Sequence, residues 1–85
     1  ESVRSHVIAA YEPLLHVSAV HPLELLQAAY HLGNRHVALE LQENDLWLQN
    51  DPVLRAMLEQ RGLSVEPCVR PFDPEGGAYA GHHHS

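Results

Sequence analysis

The sequence predicts an α+β fold, one four-stranded antiparallel sheet with two helices on one of its faces. Three observations predict it. Two stretches, 22–32 and 52–61, carry apolar residues at helical spacing. Four others alternate apolar and polar residues with the period of a strand. Their order is β-α-β-β-α-β, the split-βαβ or ferredoxin-like arrangement, and right-handed crossovers leave few alternatives in so short a chain.

The first residues are polar up to His6, and His6-Val-Ile-Ala-Ala10 reads as the end of a strand. Tyr11-Glu12-Pro13 then breaks the pattern, because proline lacks a donor and restrains the residue before it. Residues 1–13 are therefore read as the remnant of an upstream domain with a linker. Leu15, Val17 and Ala19 alternate with His16 and Ser18, giving a first strand over 14–20. Pro22 opens a helix in a first-turn position where its missing N–H costs nothing, and Glu24 suits the positive end of the helix dipole. The helix is expected to run to Leu32. Gly33 would then take the left-handed conformation that ends it, with Asn34 the next most tolerant residue for the bend.

A second strand follows over 36–43, with His36 at its mouth on the face opposite Val37. Glu43-Asn44-Asp45 is a turn by composition, and Leu46–Gln49 a short third strand. Asp51-Pro52, a cap followed by proline at the first helical position, starts the second helix. Val53, Leu54, Met57 and Leu58 form its apolar face and Gly62 ends it. Leu63, Val65 and Val69 mark a fourth strand interrupted by Pro67. Pro71-Phe-Asp-Pro-Glu-Gly-Gly77 continues neither period. Residues 14–72 thus read as one domain and 73–85 as a flexible tail. A core of about 60 residues supplies only about 3–5 kcal/mol, so a dimer partner, a metal or a neighbouring domain is expected to contribute.

Composition narrows the function. The 85 residues carry a net charge of −6 and only five Lys and Arg, which cannot form the basic stripe of a nucleic-acid binder. No apolar run approaches the roughly 18 residues of a membrane span, and no secretory leader opens the chain, so a cytoplasmic location is expected. The single cysteine, Cys68, can form neither an internal disulfide nor a cysteine zinc cage. No catalytic apparatus is expected. Ser18 and Ser64 lie in strands without a nucleophile elbow, Cys68 has no marked activating base, Glu40 and Glu43 point to opposite faces, and Gly76-Gly77 lacks the strand and helix of a phosphate loop.

What remains is eight histidines, more than all the Lys and Arg together. His31 and His36 are five apart across a helix end, not the four that aligns two imidazoles on one helical face. One copy does not hold a closed site of three or four ligands. A two-fold dimer presents each ligand twice, so two copies of His36 at the axis would make half a site. The tail, ending His82-His83-His84-Ser85, could supply the rest. Histidine runs are also common purification tags, but three is an odd length for one. Imidazole suits Ni(II), Cu(II) and Zn(II) alike, and a site without thiolate exchanges its ion, as a carrier requires. His31, near a helix C-terminus, reads as a hydrogen-bonding or dipole partner, and His6, His16 and His21 as solvated. On residues alone, a lone histidine at a strand start is usually structural.

Tyr30-His-Leu-Gly-Asn-Arg-His36 resembles the signature of the urease accessory metallochaperones, the UreE family. Pro22-Leu-Glu-Leu-Leu, Asp51-Pro-Val-Leu-Arg-Ala-Met-Leu and Pro71-Phe-Asp-Pro-Glu-Gly-Gly-Ala-Tyr79, followed by histidines, extend the likeness over 11–84 in the family's order. The resemblance implies a dimerising ferredoxin-like C-terminal domain, with His36 as nickel ligand at the dimer interface and His82, His83 and His84 as further ligands. It implies delivery of Ni(II) to the urease-maturation GTPase and the apo-urease complex, and an N-terminal β-domain ahead of this one. Some members carry extra histidines before the second helix for an additional metal site. Leu48-Gln-Asn-Asp-Pro52 has none, so that site is expected to be absent. The competing reading is a ferredoxin-like oligomerisation or ligand-sensing module with incidental histidines.

Overall fold

The computed structural model describes residues 10–76. His6 and the tail histidines lie outside this range. Six elements follow in the expected order: β1 (Tyr11–Ser18), α1 (Pro22–Asn34), β2 (Glu40–Leu41), β3 (Leu46–Gln49), α2 (Pro52–Gln60) and β4 (Ser64–Pro71). The strands form one sheet in the order β2-β3-β1-β4, every neighbouring pair antiparallel. This is the ferredoxin-like α+β fold.

Alternation assigns the two faces. Leu15 and Val17 of β1, Leu46 and Leu48 of β3, and Val65 of β4 join Ala28 and Leu32 of α1 and Leu58 of α2 in one buried cluster. That cluster is the core between sheet and helices. The intervening residues, Leu14, His16, Trp47, Cys68 and Arg70, share the helix-free face by register. Leu14 is nevertheless fully buried there.

Two strands are longer than the sequence suggested, and prolines explain both. β1 begins at Tyr11 and ends at Ser18, where 14–20 was expected, and Pro13 lies inside it. The Asn50 N–H donates to the Pro13 carbonyl at 3.3 Å, so Pro13's polar atoms face the β3 side, where pairing ends. Its missing donor takes nothing from the β4 ladder. β4 is continuous through Pro67. Pro67 and Pro71 face Leu15 and Tyr11, in the same alternating set as the Pro13–Val69 pair, so their nitrogens point away from β1 on an edge strand. β2 is shorter than expected, two residues where 36–43 was predicted, because the chain from Arg35 to Val37 is still closing α1.

The cap of α2 is as the sequence implied. Asp51 Oδ1 accepts the backbone N–H groups of Val53 and Leu54 at 2.8 and 3.1 Å. Asp51→Ala leaves two first-turn donors without that partner and is expected to cost about 1 kcal/mol. Urea denaturation measures it, and an unchanged midpoint would mean that water replaces the carboxylate fully.

Candidate metal centre

α1 runs through Gly33 to Asn34, past its expected end at Leu32. Gly33 does not take the left-handed conformation that the sequence suggested for it. His36 does, with φ 62°, and it is the one non-glycine residue with positive φ among those described. Its N–H donates to the Gly33 carbonyl at 2.9 Å, and the Val37 N–H to the Leu32 carbonyl at 3.1 Å. These bonds form a Schellman closure with His36 at the left-handed position, and Val37 packs against the core that holds Leu32.

The second helix ends in the same way. There the Gly62 N–H reaches the Glu59 carbonyl at 2.9 Å and the Leu63 N–H the Leu58 carbonyl at 3.2 Å, with Gly62 at φ 89°. Leu32-Gly-Asn-Arg-His-Val37 and Leu58-Glu-Gln-Arg-Gly-Leu63 are thus two versions of one turn, and His36 occupies the place of Gly62. A side chain there carries a steric cost that glycine avoids. Strain of this kind concentrates at functional positions.

His36 is exposed and borders an open depression of about 400 Å³, which Asn50, Asp51 and Leu54 also line. Among the described residues, no group of three or more His, Cys, Asp or Glu side chains is gathered closely enough to hold a metal. The structure brings neither His31 nor His16 to His36 in any such group. His31 is exposed in the last turn of α1, with its ring edge-on to Tyr30 at 5.2 Å. His21 is exposed at the N-terminus of α1 and its side chain makes no capping bond.

His16 corrects the expectation of a solvated residue. Its Nε2 lies 2.7 Å from Asp45 Oδ1, and its ring stacks on Trp47 with centroids 5.0 Å apart. The guanidinium of Arg70 covers the Trp47 ring at 4.1 Å and then reaches Glu40 Oε2 at 2.9 Å. Glu40 is the buried carboxylate among the described residues and was missed in the sequence. Its alternation with Leu39 and Leu41 placed it on the polar face. Arg70, 30 residues on, is its neighbour only through the sheet order.

Residues 12–85 match the model of the UreE urease accessory protein, C-terminal domain. The urease accessory protein UreE of Parasynechococcus marenigrum is 64% identical over 83 residues, 98% of this chain and 55% of its own length. That of Synechococcus sp. strain WH7805 is 69% identical over 75 residues, 88% of this chain and 43% of its own. In Ectopseudomonas mendocina the identity is 60% over 77 residues, 91% and 46% of the two chains. The chain spans about half the length of these relatives.

Proposed function

The chain belongs to the UreE family of urease accessory proteins, and we propose that it acts in urease maturation as a nickel carrier. Ni(II) is its cargo, held by His36 from two copies of the domain and by His82, His83 or His84 of the tail. Delivery goes to the maturation GTPase and the apo-urease complex, without catalysis by this chain. The observation that carries the reading is the imidazole at the left-handed position of the α1 closure, where the equivalent turn of α2 uses glycine. That turn fixes the His36 backbone while leaving the ring exposed, which suits an ion that must be both bound and released. Zn(II) and Cu(II) fit the same nitrogen donors.

Calorimetric nickel titration, with and without residues 82–85, tests this. Imidazole ligates only when neutral, so binding should release protons and weaken on acidification. Binding that does not change with pH would mean that carboxylates hold the ion. Loss of 82–84 should lower affinity or stoichiometry without lowering the apo melting temperature.

A shared site needs a dimer. Leu23, Leu26 and Tyr30 lie three and four residues apart on α1, each more than 60% exposed. This apolar stripe runs along the helix toward the turn that carries His36. It supports a two-fold contact through α1 that brings the two His36 residues together. Leu26→Glu should shift the protein to monomer in sedimentation equilibrium while its far-ultraviolet circular dichroism spectrum stays that of the folded domain. A strict monomer at high micromolar concentration, with and without nickel, counts against the shared site.

A further inference from the structure

We propose that the depression beside His36 is a co-ligand site, which takes an α-amino acid chelated to the Ni(II) that His36 holds, and that Asn50 and Asp51 are the residues that recognise it. The inference rests on the nickel reading above and deepens it, by naming the class of small molecule that shares the ion with the protein.

Two imidazoles do not complete a nickel site. A tetragonal set of nitrogen and oxygen donors suits Ni(II), and the His36 nitrogens of two copies fill half of one. A bidentate ligand with one nitrogen and one oxygen fills the rest. His36 opens onto a depression of about 400 Å³, within the roughly 300–1,000 Å³ of small-molecule sites. Its walls come from the chain after α1, the end of β3 and the first turn of α2. No residue of α1 lines it, so a two-fold contact through Leu23, Leu26 and Tyr30 does not use its walls.

The lining decides the class of ligand. It contains one carboxylate, Asp51, and neither Lys nor Arg, on a chain of net charge −6. A polycarboxylate chelator is repelled by such a wall. An α-amino acid brings a single carboxylate. Bound through its amine and one oxygen, it keeps two N–H groups on the nitrogen and one further carboxylate oxygen, and the depression has a partner for each. Both capping bonds at Asp51 go to Oδ1, which leaves Oδ2 to accept from the amine. Asn50 uses its backbone N–H on the Pro13 carbonyl, and its exposed carboxamide is left to donate to the second carboxylate oxygen. Gln49 does not serve, because its carboxamide donates to Glu12 Oε1 at 3.1 Å. Val37, Ala38 and Leu54 give an apolar wall for an aliphatic side chain. On chelation the ammonium group of the amino acid releases one proton to solvent, and the lone pair so freed goes to the metal.

The test is equilibrium dialysis of radiolabelled L-alanine and D-alanine against the full chain loaded with Ni(II). Aqueous Ni(II) binds the two enantiomers equally, so any difference between them comes from the protein. The nickel-loaded chain should retain alanine, one enantiomer more tightly than the other, and the nickel-free chain should retain none. Asn50→Ala should weaken retention of the tighter enantiomer roughly two- to tenfold, the worth of one hydrogen bond. Asp51→Asn, which keeps a capping oxygen for α2 but loses the second acceptor, should do the same. No retention by the nickel-loaded chain overturns the co-ligand site while the nickel reading stands. Equal retention of the enantiomers, or retention unchanged in both variants, overturns it as well, since the metal alone would then hold the amino acid. If His36→Ala binds nickel and alanine as the unsubstituted chain does, the nickel reading falls, and the co-ligand site with it.

Discussion

His36→Ala is expected to remove the tightest nickel site while leaving the apo domain as stable as the unsubstituted chain. The ring is exposed, so its loss opens no cavity. Alanine keeps the Cβ and with it the cost of the left-handed backbone at φ 62°. His36→Gly separates the two roles of the position further. It also removes the imidazole, but it relieves a steric cost of about 1–2 kcal/mol, partly offset by about 0.5–1 kcal/mol of additional chain entropy lost on folding. The glycine variant should therefore bind as poorly as the alanine variant and melt at the same temperature or higher, by up to about 1.5 kcal/mol in stability. His21→Ala should leave nickel binding unchanged, and so should His16→Ala, although the latter loses the contacts to Asp45 and Trp47. Calorimetry and urea denaturation on the same samples decide the matter. Unchanged nickel stoichiometry and affinity in His36→Ala would sink the assignment. A less stable glycine variant would show that the imidazole supports the fold.

Leu32→Ala should have the largest effect on stability. Leu32 is fully buried between helix and sheet, and its carbonyl receives the N–H groups of Arg35 and Val37 that close the His36 turn. Truncating a buried leucine costs about 3–5 kcal/mol, which is comparable to what a core of this size supplies altogether. Most of the apo variant should be unfolded at 25 °C, as read by far-ultraviolet circular dichroism. Nickel at about a hundred times its dissociation constant adds about 2.7 kcal/mol to a state that alone binds it, so the variant should refold in part on titration. Full stability without metal would mean that the neighbouring side chains close the cavity.

The fold was readable because local signals agreed with one another. The alternation of Leu15 with Val17 and of Leu46 with Leu48, and the cap at Asp51-Pro52, each point to a single conformation, and the structure has all three. The misplaced features depend on neighbours. Pro13 and Pro67 read as breaks because the sequence does not say which side of a strand is paired. Gly33 read as the helix end because glycine is the usual left-handed residue, and the actual one, His36, follows three residues later. His36 itself was visible as a candidate, but for its family signature and not for its strain. The His16–Trp47–Arg70–Glu40 network joins β1, β3, β4 and β2, and no spacing along the chain foretells that.

The outward-facing prolines of β4 bear on how the protein behaves when crowded. A sheet grows into a fibre by recruiting a new strand at a free edge, which needs a row of donors and acceptors on that edge. On the β4 side two of the outward positions, Pro67 and Pro71, have no donor to offer. On the other side β2 is two residues long. Neither margin is a template for another chain. Copies of the domain could therefore meet at high local concentration without fusing their sheets.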